Sequence, residues 1–133
     1  MILDTSVLVA LLREEPEAEL FLTIMSTAAR LSFSAASHVE LGVVVTRNLK
    51  FPDFGKVNEV LAYFNVAIVP VTAEHARIAR EAYRTYGQVS GSPAKLNFGD
   101  CFPYALAKAT GEPLLFKGDD FIHTDVVPAL KPI

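Results

Sequence analysis

A chain of 133 residues, 51% apolar and 20% charged, is long enough to bury one core and too apolar to be disordered. Its single cysteine, Cys101, excludes an internal disulfide and any zinc site built on several cysteines, and no apolar run reaches membrane-spanning length. The net charge of −3 neither supports nor excludes a polyanionic partner.

Met1-Ile2-Leu3 runs straight into Asp4, and Thr5-Ser6 open a helical pattern carried by Val7, Leu8, Leu11 and Leu12. This reads as a buried strand whose carboxyl end presents Asp4 at the sheet edge where α/β proteins bind ligands. Asp4 could equally be a helix cap or half of an ion pair. With no charged leader before the apolar residues, residues 1–4 read as structure rather than a targeting signal. Pro16 fits the first turn of a second helix, with Leu20, Phe21, Ile24 and Met25 as its apolar stripe. Residues 30–34 alternate polar and apolar, which predicts a short strand. A helix follows, with Ser34 or Ser37 available as caps and Glu40 between Val39 and Leu41. Alone, Glu40 reads most simply as a solvent-facing acid.

Phe51-Pro52-Asp53 breaks the pattern, and Val57, Val60, Leu61 and Phe64 mark another helix. A β-branched strand over 67–71 precedes a helix over 73–86 capped by Thr72, with Arg77, Arg80 and Arg84 on one face. That face is either ordinary solvated surface or a stripe for phosphate contacts. Residues 86–94 are rich in glycine, serine and proline and predict a mobile loop beside a site. Asn97 is placed to cap a helix containing Asp100, with an irregularity expected at Pro103. Gly111 ends that helix, and residues 113–116 read as a buried strand followed by a turn carrying Asp119 and Asp120. Val126-Val127 before Pro128 predicts a last, edge strand.

Strands alternating with helices, with no repeat and no second core, predict one domain over 1–133. Its expected architecture is a three-layer α/β/α sandwich around a mostly parallel sheet of four to five strands. In such a sheet Asp4, Glu40, Asp100 and Asp119 can approach one edge. Crowded carboxylates repel, and the usual resolution is a hard divalent cation such as Mg²⁺ or Mn²⁺. That chemistry suits phosphodiester cleavage, in which metals activate water and stabilise the leaving oxygen. With these four acids set aside, the rest of the chain carries nearly equal numbers of acids and bases. There is no phosphate-binding Gly-rich loop and no nucleophile elbow, and the three histidines lack metal-ligand spacing. Cys101 beside Asp100 reads as a small core residue, since a neighbouring carboxylate disfavours the thiolate.

Residues 1–6 and 34–42 resemble the first two motifs of PIN-domain ribonucleases. Residues 96–107 and 114–121 resemble the third and fourth, and the likeness is nearest to the VapC toxins of toxin–antitoxin pairs. The resemblance implies a Mg²⁺- or Mn²⁺-dependent endoribonuclease cutting tRNA, rRNA or mRNA, and the single cysteine points to a reducing cytoplasm. The resemblance also implies a homodimer neutralised by a VapB-type antitoxin. Residue by residue, Asp4, Glu40 and Asp100 match the family's first three acids, and Asp4 and Asp100 would be direct metal ligands. Ser6 matches a supporting hydroxyl. Asp119 is the expected fourth acid, with Asp120 as the alternative, because Phe116-Lys117-Gly118 departs from the usual pattern. Two rival readings remain on a similar sheet: a receiver-like signalling or binding module using Lys117, and a Mg²⁺-dependent phosphatase with Asp4 as nucleophile. The second lacks its usual second acid, since Ser6 stands there.

Overall fold

A computed structural model describes residues 1–48 and 54–130. The break expected at Phe51-Pro52-Asp53 lies outside the described residues. The elements run β1 (Ile2–Leu3), α1 (Thr5–Leu12), α2 (Ala18–Thr27), β2 (Ser32–Ser34), α3 (Ala35–Asn48), α4 (Phe54–Tyr63), β3 (Ala67–Val69), α5 (Ala73–Tyr86), α6 (Cys101–Thr110) and β4 (Leu114–Leu115). The four strands form one sheet in the order β3-β2-β1-β4, and every pairing is parallel. Pro128 adds a single parallel bridge to Leu114 at the β4 edge, where the sequence predicted a further strand.

The strands are short, and alternation along them sets the layers. Leu3, Phe33 and Leu115 point to one face, where they pack with Val7 and Leu8 of α1, Phe21 and Met25 of α2, Leu41 and Val45 of α3 and Val57 of α4. Ile2, Leu114 and Phe116 point to the other, against Ala82 of α5 and Tyr104, Leu106 and Ala107 of α6. This is the α/β/α sandwich the sequence predicted. All strand carboxyl ends therefore lie along one edge, as parallel pairing requires.

The strand expected within 30–34 is β2, whose three residues are all buried because a central parallel strand is covered on both faces. Other local expectations are corrected. α2 begins at Ala18, two residues after Pro16, which sits in the preceding turn. Leu20 lies outside the stripe that buries Phe21 and Met25. Pro103 does not interrupt the helix: α6 starts at Cys101, so the proline occupies the first turn, where its missing N–H is not needed. The loop over 86–94 carries cross-ties at its base. Leu96 N donates to Tyr86 O at 2.9 Å, Gln88 N to Leu96 O at 3.1 Å, and Ser90 Oγ to Gly87 O at 2.7 Å.

Candidate active site

Asp4 follows β1 and is pinned at the edge by its own N–H, which donates to Leu115 O of β4 at 2.9 Å. Its extended backbone makes it the N-cap of α1, where Oδ2 accepts from Ser6 N at 3.1 Å and from Ser6 Oγ at 2.5 Å. The side chain is 6% exposed. Burial raises its pKa to about 6, the Ser6 bonds partly offset this, and the charge of Glu40 adds to the rise. The capping role considered for Asp4 is thus real, and it coexists with a strained charge.

Asp100 sits in the turn that starts α6. Asn97 Oδ1 accepts from Asp100 N at 2.9 Å, and Asn97 N donates back to Asp100 Oδ2 at 3.0 Å, a reciprocal cap. Burial pushes Asp100 up to about 7, the Asn97 bond opposes this, and the charges of Asp4, Asp120 and Glu40 push further. Glu40, on the second turn of α3, reaches back to this turn and its carboxylate lies against Gly99. Three of the expected acids, Asp4, Glu40 and Asp100, therefore share one electrostatic neighbourhood.

Both acids after β4 are exposed, in a turn whose Gly118 has φ +101°, and the charge of Asp120 is among those that push Asp100 up. The turn is tied to the rest of the edge through Ser6, whose Oγ accepts from Lys117 N at 3.0 Å while donating to Asp4. Lys117 Nζ turns the other way, pairing with Glu15 and, at 3.2 Å, with Glu17. A receiver-like site would place that amine among the acids; here it is held outside them.

Among the described residues, no Lys, Arg or His forms an ion pair with any of these acids. The donor set is all carboxylate oxygen with excess negative charge, which suits a hard cation. As they stand, Asp4 and Asp100 each commit one oxygen to a cap. Among the described residues, no three His, Cys, Asp or Glu side chains are arranged to hold an ion. The contacts of Asp4 and Asp100 thus differ from the closed four-acid cluster expected from sequence.

Other features fall into place around the edge. Cys101 is buried, and its thiol is raised to about 11 by burial and then by Asp100, so it is unreactive as expected. Arg77, Arg80 and Arg84 are exposed on α5, and Arg84 Nε is already paired with Glu81 Oε2 at 2.8 Å. Sequence reasoning missed Gly99; its one available signal was a glycine immediately before the acid of a helix start.

A PIN-domain family model matches residues 1–127. The chain belongs to the PIN-domain family. Within it, this PIN domain is 43% identical over 130 residues to the ribonuclease VapC42 of Mycobacterium tuberculosis, covering 97% of this chain and 98% of that one. It is also 43% identical over 130 residues to VapC28 of the same species, covering 98% of each. Among solved structures, M. tuberculosis VapC20, described as a sarcin–ricin loop cleaving toxin, superposes with a TM-score of 0.74 at 18% identity, covering 98% of each chain. FitAcB from Neisseria gonorrhoeae gives 0.70 at 23% identity, over 96% of this chain and 94% of that one. At these identities the two structures speak to the fold of the PIN domain. Among its described residues, no helix is long and apolar enough to cross a membrane.

Proposed function

We propose that this protein is a metal-dependent endoribonuclease toxin of the VapC type, acting in the cytoplasm on RNA and neutralised by a VapB-type antitoxin. The observation that carries this reading is the pair Asp4 and Asp100, pushed up to about 6 and about 7 by burial and by neighbouring acids, with no ion-pair partner among the described residues. Near-full-length similarity to curated VapC ribonucleases supports the reaction class. The toxin–antitoxin complexes among the structural neighbours support the partner.

Asp4 and Asp100 would hold a Mg²⁺ or Mn²⁺ ion, with Glu40 and Asp120, or Asp119, beside them. Such an ion, when bound, lowers the pKa of a water and stabilises charge on the leaving oxygen. The chain's own residues orient the acids: Ser6 fixes the Asp4 carboxylate, Asn97 fixes that of Asp100, and both hydrogen bonds favour the ionised form the cation needs. Arg77 and Arg80 are proposed backbone-phosphate contacts. The protein is proposed to act as a homodimer. Exposed Leu20 and Leu22 on α2, with Phe54 and Tyr63 on α4, offer apolar surface for a second copy or the antitoxin.

Purified protein incubated with total RNA should cleave it in Mg²⁺ or Mn²⁺ and stop on adding EDTA. Asp4→Asn and Asp100→Asn should each be inactive. Cleavage that survives EDTA and both substitutions would sink the reading.

A further inference from the structure

Glycine is required in two physical circumstances: a backbone in the left-handed region, or an approach too close for a Cβ. Gly91, Gly111 and Gly118 belong to the first class, with φ of +83°, +72° and +101°. Gly99 does not; its backbone conformation is open to any residue. Its neighbour explains it instead. A Cβ built on Gly99 overlaps Glu40 Oε2 and lies 2.7 Å from the Glu40 carboxyl carbon and 3.3 Å from Oε1. The colliding atoms are the tip of a flexible side chain rather than backbone. An added methyl group would therefore move the Glu40 carboxylate and leave the chain where it is.

We propose that Gly99 is a positioning residue for the acid cluster, its missing Cβ being the space in which the Glu40 carboxylate lies beside the turn that carries Asp100. This rests on the nuclease reading above for its purpose, though not for its geometry. Glu40 comes from α3 and Asp100 from the start of α6, and Gly99 is where the two elements meet. Its neighbour Asp100 is held by the Asn97 cap, so the turn is fixed and Glu40 is the partner that must yield. Glu40 acts electrostatically on both Asp4 and Asp100, so a displaced Glu40 alters the donor set from the α3 side alone.

The test compares wild type, Gly99→Ala, Glu40→Ala and the double variant in three measurements. These are thermal melting in EDTA, binding of Mn²⁺ alone, and cleavage of a single-stranded RNA oligonucleotide in Mn²⁺. Gly99→Ala is expected to melt within about 2 °C of wild type or higher, since alanine restricts the unfolded chain. It should weaken Mn²⁺ binding and lower cleavage by about 10- to 100-fold, the range for a residue that orients a metal ligand. In the Glu40→Ala background the same substitution should change neither quantity further, because the carboxylate it displaces is gone.

Wild-type Mn²⁺ affinity and cleavage in Gly99→Ala would overturn the proposal, and so would losses that multiply in the double variant. If Gly99→Ala melts far below wild type, the double variant decides. Recovery with Ala at position 40 upholds the steric conflict, and an unrelieved loss overturns it. A wild type that binds Mn²⁺ but cuts no RNA removes the nuclease reading and leaves the Gly99 cycle to be read from binding. A wild type that does neither removes both.

Discussion

Glu112 and Asp4 are carboxylates at opposite edges of the sheet, one before β4 and the other after its neighbour β1, and their proton affinities have moved in opposite directions. Glu112, just before β4, receives the Met1 ammonium at 2.7 Å and lies 3.7 Å from Arg30. The hydrogen bond from the ammonium holds it below the usual glutamate range. Asp4, just after β1, is buried among other acids and is pushed up to about 6. The amino edge of the sheet satisfies its charges locally, as a structural edge does. The carboxyl edge leaves its acids without an ion-pair partner among the described residues.

The largest effects should come from breaking the unsatisfied edge. Asp4→Asn and Asp100→Asn should lower cleavage by about 10³-fold or more, as loss of one member of a catalytic unit does. Asparagine can still accept the Ser6 and Asn97 bonds, so circular dichroism and melting should show an intact fold. Next, Asp120→Asn should cost more activity than Asp119→Asn in a side-by-side rate assay, because Asp120 is among the charges that act on Asp100. Equal losses, or the reverse order, would return the fourth position to Asp119.

The fold was largely legible from the sequence, and the site only partly so. Apolar runs ending at Asp4 and before Lys117 located β1 and β4, and Thr72 caps α5 as read, its Oγ1 accepting from His75 N at 3.1 Å. β2 was located by its alternation, but that Ser32 and Ser34 are buried could not be read from residue types, since only sheet order reveals a strand covered on both sides. The acids could be named because strand ends converge in parallel sheets. Their hydrogen bonds could not, since the Asn97–Asp100 and Ser6–Asp4 contacts depend on backbone angles that residue types alone do not determine. Gly99 stayed invisible because its role belongs to Glu40, far away in sequence.

A smaller contrast separates the edges by pH. Asp4 binds its proton more tightly in the folded chain than in the unfolded one, where its pKa is near 3.8. Between pH 4 and 6 the unfolded carboxylate is already ionised while the folded one still holds a proton. Stability therefore falls as pH rises through that window and stays lower above it, by at most about 3 kcal/mol. In EDTA, the melting temperature of Asp4→Asn relative to wild type should rise from pH 5 to pH 8. A flat difference would mean that Asp4 carries no such strain. The smallest effect belongs to the paired edge: Glu112→Ala should cost about 1 kcal/mol in denaturant melts and leave cleavage unchanged.

The Ser6 hydroxyl has one proton to give. With that proton directed at Asp4 Oδ2, its lone pairs are oriented toward the Lys117 N–H, so the chain of bonds runs one way, from the turn after β4 through Ser6 to Asp4. An ionised Asp4 keeps this polarity. A proton landing on Oδ2 would compete with the serine for the same lone pairs and rotate the hydroxyl away. The turn bearing Asp119 and Asp120 is thus wired to the charge on Asp4, and a single hydroxyl carries that information across the edge of the sheet.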